Sequence, residues 1–150
     1  MRLSVKLIAL LVPLFVLAIL SRAGAQTGWL SGQSLSQPTA TATVFLAFHE
    51  NPSIALISVE ANAQTVAPFA FTAKNLFCSW NNAAQGTGLT FVLRDNGAVT
   101  ALTFTATSGT SGNDTTHSVS VSAGDLLDIG LVNSNTSNAT GIWRCSISTQ

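Results

Sequence analysis

The run Leu89-Thr90-Phe91-Val92-Leu93-Arg94-Asp95-Asn96-Gly97-Ala98-Val99-Thr100-Ala101-Leu102-Thr103-Phe104 constrains the fold more than any other part of the chain. Asn-Gly is the favoured pair for a two-residue type I′ turn, because both central residues need positive φ and neither is much strained by it. With Asn96 and Gly97 as the loop, Phe91 opposes Leu102, Leu89 opposes Phe104 and Leu93 opposes Thr100. Side chains alternate along a strand, so Leu89, Phe91, Leu93, Leu102 and Phe104 share one apolar face. Thr90, Arg94, Thr103 and Thr105 fall on the other. Turn chemistry and alternation agree on one antiparallel β-domain.

Residues 1–25 are expected to be a secretory signal peptide rather than part of that domain. Arg2 and Lys6 give a positive start, 7–20 is an apolar run, and Ala23-Gly24-Ala25 supplies small residues for cleavage before Gln26. The apolar run is shorter than the roughly 20 residues a spanning helix needs, which favours a cleaved helical leader over an anchor. Its removal takes Arg2, Lys6 and Arg22, leaving Lys74, Arg94 and Arg144 against six acidic residues. Three scattered cations offer no footprint for nucleic acid or an anionic membrane surface. Ser, Thr, Asn and Ala supply the surface in place of charge, which removes one protection against edge-to-edge association.

Residues 26–41, rich in Ser, Gln, Gly and Thr, read as an extended N-terminal arm. Its apolar pair, Trp29-Leu30, would dock on its own domain or on a neighbour. Residues 42–150 carry short strand signals at 43–48, 54–59, 67–72, 75–80, 89–94, 99–106, 117–122, 126–132 and 142–149. Turn-rich stretches such as Asn96-Gly97, 109–114 and Ala123-Gly124-Asp125 separate them. No segment after the leader sustains a helical period, so the expectation is one all-β domain, a sandwich or a barrel.

An exported chain with two cysteines most simply forms one disulfide. Cys78 lies in Leu76-Phe77-Cys78-Ser79-Trp80 and Cys145 in Trp143-Arg144-Cys145-Ser146-Ile147. If the two are opposed on adjacent antiparallel strands, Trp80 meets Trp143 and Leu76 meets Ile147. All six would then share one sheet face. The alternative is a bridge crossing between two sheets, with the Trp match accidental.

Three segments resemble the C1q/TNF-like jelly-roll domain, in the version seen in bacterial surface and spore-coat proteins and in phage fibre tips. They are Phe71-Thr72-Ala73-Lys74-Asn75-Leu76, Phe91-Val92-Leu93-Arg94-Asp95-Asn96-Gly97, and Ser118-Val119-Ser120-Val121-Ser122-Ala123-Gly124-Asp125-Leu126-Leu127. The resemblance spans 41–147. It implies a two-sheet antiparallel jelly-roll sandwich, usually a compact homotrimer, that serves in binding, adhesion or decoration without catalysis. It also implies that the last strand lies beside 75–80. The leader favours a secreted or surface protein of a cell over a phage tip.

Catalytic and metal-binding constellations are sparse. His49 and His117 are the two histidines. His117 reads as an edge histidine with a local hydrogen bond, and His49-Glu50 has no second cluster to complete a metal site. Asp125 and Asp128 face opposite sides and form no acid/base pair, and Asp125 is expected to bond its own turn. There is no Gly-x-Ser-x-Gly elbow, phosphate loop or EF-hand loop, so neither an enzyme nor a cofactor is expected. Asn113, Asn135 and Asn138 head glycosylation sequons in expected loops. The functional expectation is a secreted, non-catalytic interaction module, trimeric by resemblance, acting as a surface adhesin or decoration. The alternatives are a carbohydrate-binding module using Trp29, Trp80 and Trp143, or a filament subunit donating its 26–41 arm to a neighbour.

Overall fold

The computed structural model describes residues 28–34, 38, 40–48, 57–82, 88–139 and 141–150. The expected leader, the His49-Glu50 pair, the first half of the expected 54–59 strand and the Trp29 side chain lie outside the described residues; of the other half, Ile57 makes a single bridge to Phe45 and 58–59 bend. One sheet holds β1 (Gly28–Ser34), β9 (Trp143–Thr149), β4 (Phe71–Trp80) and β7 (Ser111–Val121), side by side in that order. The other runs β2 (Thr43–Leu46), β8 (Leu126–Asn133), β5 (Leu89–Asp95), β6 (Ala98–Ala106), with short β3 (Thr65–Val66) also on β8. Every pairing is antiparallel. Early and late strands alternate across both sheets in the order of an eight-strand jelly roll, with β3 as an addition. The all-β sandwich expectation holds.

The expected arm is itself part of this sandwich. Gly28–Ser34 is an edge strand, and its seven residues pair in unbroken register with Thr149–Trp143 of the same chain. An edge strand buries one face, so a segment as polar as Ser31-Gly32-Gln33-Ser34 can serve. Gly28–Ser34 of the expected 26–41 arm is thus one of the strands of the first sheet. Of the expected turn at 109–114, residues 111–114 are likewise strand, since β7 begins at Ser111, and 109–110 bend before it.

The Asn96-Gly97 turn forms as expected, with φ of 51° and 81°. Next to it Arg94 pairs with Val99, but Val92 pairs with Thr103, so three residues of β6 stand opposite Leu93 alone. Thr100 stabilises this bulge: its Oγ1 donates to the Leu93 carbonyl (2.8 Å) and accepts from the Leu102 N–H (3.2 Å). Pairing beyond it is Phe91 with Phe104 and Leu89 with Ala106, which corrects the expected partners. A slip of two residues keeps every side chain on its face. Leu89, Phe91, Leu93 and Leu102 are accordingly all buried, and Phe104 packs against them.

A second bulge bends β4. Asn75 takes φ of 53° and interrupts the pairing to β7 and β9 together. Asn tolerates the left-handed region better than most residues. The extra residue lets Ala73 and Leu76 both point inward while Phe77 points out. Of the strands expected at 67–72 and 75–80, the second lies within Phe71–Trp80 and the first gives it only Phe71 and Thr72, since 67–70 are not strand. Beyond the bulge Cys78 stands opposite Cys145 and Trp80 opposite Trp143, and the cysteines are disulfide-bonded across 67 residues. The chain-entropy model assigns a link of that span about 4 kcal/mol. Leu76 and Ile147 fall inside the bulge and are not direct partners, though both are completely buried.

The sheets meet around aromatic rings. Trp80 stacks on Phe91 at 5.4 Å, and Trp143 lies 6.3 Å from each of them. The Trp80 Nε1–H donates to the Gly109 carbonyl (2.9 Å), satisfying its buried polar atom. Among the described residues no helix is long and apolar enough to cross a membrane.

Candidate functional site

At one end of the sandwich the sheets part. Leu30 of β1 and Phe71 of β4 stand on one side, and Val66 and Leu127 from the β3–β8 pair on the other, around a cleft of about 380 Å³. That volume falls in the roughly 300–1,000 Å³ range of small-ligand sites. Phe48, Leu127 and Ala67, each at most 3% exposed, belong to the core and line it. Phe69 and Val66, 54% and 58% exposed, stand at its rim. Phe69 meets Phe71 edge to face at 6.0 Å.

Local chemistry explains why the cleft stays open. Pro68 has no N–H to continue the β3 ladder, so the chain leaves β8 just there. Ala67 is then held by the 122–125 turn: its N–H donates to the Asp125 carbonyl, and its carbonyl accepts from Gly124 N–H, both 2.8 Å. That turn is fixed in its own right. Asp125 accepts from the Ser122 N–H (2.6 Å), as expected, and from Asn96 Nδ2 (2.8 Å), while Asn96 Oδ1 accepts from the Leu126 N–H (3.0 Å). These donors, Asn96 first, hold the Asp125 carboxyl below the usual range. The Asn-Gly hairpin and the Ala-Gly-Asp turn are thus latched together, with the cleft beside them.

Among the described residues the lining carries no ionisable side chain, and its two hydroxyls are already engaged. Thr149 Oγ1 accepts from the Gly28 N–H (3.0 Å), and Thr65 Oγ1 donates to the Phe48 carbonyl (3.3 Å). An occupant would find apolar contact with few hydrogen-bonding groups left to answer polar ones. A sugar, with its many hydroxyls, is poorly matched to such walls.

The residues singled out in the sequence lie elsewhere. Trp80 and Trp143, at 2% and 0% exposure, are core residues, which corrects their candidacy as ligand contacts. Their inward positions around the disulfide leave no indole face for stacking a sugar. Asn113 sits exposed on strand β7 rather than in a loop, while Asn135 and Asn138 follow β8 in non-strand chain. Asn138 Oδ1 accepts from the Ala40 N–H (3.0 Å).

His117 bonds locally. Its Nδ1 lies 2.8 Å from Asp114 Oδ2, and the buried Asp114 carboxylate also accepts from the N–H groups of Thr103, Thr116 and His117. Burial works to raise the Asp114 pKa, but these donors outweigh it and bring it to about 2. No group of three or more His, Cys, Asp or Glu is placed to hold a metal ion among the described residues.

No family model matches the chain. No curated protein matches it either. Among solved structures, one similar chain is that described as the crystal structure of FLHE, at 11% identity and a TM-score of 0.42, covering 83% of this chain and 97% of that one.

Proposed function

We propose that the chain is an exported, non-catalytic jelly-roll interaction module whose contact site is the apolar cleft, and that the cleft takes an uncharged, apolar group such as an alkyl or acyl chain. The observation that carries this reading is the cleft's chemistry: core residues inside, exposed Phe69 and Val66 at the rim, and wall hydroxyls already engaged. Exposed apolar side chains grouped around a concavity mark binding surfaces more often than scattered ones do. Export is supported by the disulfide, which persists in oxidising compartments, and by the leader-like composition of residues 1–25. The homotrimer implied by the C1q/TNF-like resemblance belongs to the same proposal, and sedimentation at micromolar concentrations tests it.

The decisive experiment titrates the purified mature chain with an uncharged apolar fluorophore. Saturable binding is expected, weakened by about tenfold or more in Phe69→Asp, since a charge at the mouth must be desolvated on binding. A wild-type chain without saturable binding, or a Phe69→Asp chain that binds as well as wild type, would rule the cleft out.

A further inference from the structure

On the outer face of the second sheet lies a buried cluster that the cleft does not use. Residues 57–64 form a strap across β2, β8 and β5. Ile57 exchanges two backbone hydrogen bonds with Phe45 (2.9 and 3.1 Å), and Ala63 is buried with Phe45 and Ala47. Between them the Glu60–Asn62 turn sets Glu60 on Arg94, with Nε–Oε1 at 2.5 Å and Nη2–Oε2 at 3.1 Å. Arg94 Nη2 also donates to the Gly97 carbonyl, and its guanidinium lies 5.5 Å from the centre of the Phe45 ring. Directly across from Arg94 on β8 stands Asp128. Asp128 is 0% exposed, no donor reaches either carboxylate oxygen, and its side chain bonds that of Glu60, an interaction that favours the protonated acid.

We propose that the 57–64 strap is a proton-controlled cover, closed on the sheet while Asp128 holds its proton and loosened when Asp128 ionises. The argument is a balance of charge. Among the described residues the charged groups facing Asp128 are Arg94 from β5 and Glu60 from the strap, while β2 presents the uncharged Phe45. One guanidinium neutralises one carboxylate, and here it is committed to Glu60. With Asp128 protonated the cluster is neutral. Ionised, it holds two carboxylates for one guanidinium in a poorly hydrated site, a costly arrangement.

That cost is relieved by drawing Arg94 from Glu60 and admitting water. Either change weakens the bond that ties the strap to β5. Burial first, and Glu60 second, push the Asp128 carboxyl up to about 7 against the opposing pull of Arg94. Its proton is then lost near neutrality, whereas a solvated carboxylate loses its own near pH 4.

The test is amide exchange in the intact mature chain, corrected for intrinsic rates, at about pH 5.5 and about pH 8. The Ile57 and Ala63 amides, which donate to the Phe45 and Glu60 carbonyls, should lose about tenfold or more of their protection at the higher pH, while β9 amides do not. In Asp128→Asn that difference should vanish. Equal strap protection at both pH values, or an undiminished pH response in Asp128→Asn, would overturn the proposal. Should that variant fail to fold, carbon-13 titration of the wild-type carboxyls decides: an Asp128 midpoint in the ordinary carboxylate range overturns it as well. The apolar-probe titration is indifferent to these outcomes, so the cleft and the strap stand or fall separately.

Discussion

Asp114 and Asp128 are both removed from solvent, at 6% and 0% exposure, and burial works to raise both pKa values, yet that of Asp114 is lowered and that of Asp128 raised. Asp114 sits where β7 loses register against β4, with Lys74 opposite Ser118 and Leu76 opposite Asp114. A broken ladder frees backbone N–H groups, and those of Thr116 and His117 turn onto its carboxylate. Asp128 lies in the interior of β8, flanked by β5 on one side and by β2 and β3 on the other. There the ladders occupy the neighbouring N–H groups, and nothing nearby donates to the carboxylate. Burial therefore does not decide the charge of a carboxyl. The supply of free donors does, and in a sheet that supply is set by bulges.

The largest test of this contrast is Asp114→Ala. The substitution leaves three backbone N–H groups and the His117 ring without their shared acceptor. A loss of roughly 3–5 kcal/mol in urea unfolding is expected, since each buried donor left unsatisfied costs about 1–3 kcal/mol and some will find water. A loss under about 1 kcal/mol would mean that the donors at the bulge are already hydrated, and the comparison would fail.

The pH dependence of stability sharpens the contrast. Asp128, with its pKa raised to about 7, keeps in the fold a proton that the unfolded chain releases near 3.8. Its stabilisation is complete below that lower value and is lost as pH rises through the upper one. Asp114, lowered to about 2, behaves oppositely: its contribution is complete above 3.8 and disappears as pH falls. Stability should peak near pH 4–5 and decline towards about pH 8. Asp128→Asn should abolish the decline, stabilising the chain by roughly 2–4 kcal/mol more at about pH 8 than at about pH 5. Denaturant titrations across that range check it. A wild-type curve flat from about pH 5 to about pH 8 would remove Asp128 from the comparison.

Much of the frame was legible because turn chemistry and alternation are local. Asn96-Gly97 announced its turn, and the matched Cys78–Cys145 and Trp80–Trp143 spacings announced a register the structure keeps. The bulges escaped for two different reasons. At Leu93 the slip is by two residues and leaves the alternation untouched, so no pattern could reveal it. At Asn75 the parity breaks visibly, but a break reads equally well as two strands. The cleft had no signal, because its walls come from the ends of strands far apart in sequence. Asp128 was misleading in another way. It alternates with the core residues Leu127 and Ile129, yet it is 0% exposed on the face where Glu60 of the strap meets Arg94.

The smallest effect expected is that of His117→Ala, and it separates two accounts of why Asp114 stays charged. If the bulge is the cause, the ring is one donor among several and the N–H groups of Thr103, Thr116 and His117 remain after its loss. The half-exposed ring then contributes a single hydrogen bond to a carboxylate that keeps its other partners. A cost of about 1 kcal/mol is expected, read from the urea midpoint at unchanged slope, together with a rise in the Asp114 pKa and an earlier acid transition. If His117→Ala instead costs as much as Asp114→Ala, the ring is what holds the charge. The free N–H groups would then be incidental, and the difference between the two aspartates would lie in a nearby histidine rather than in a broken ladder.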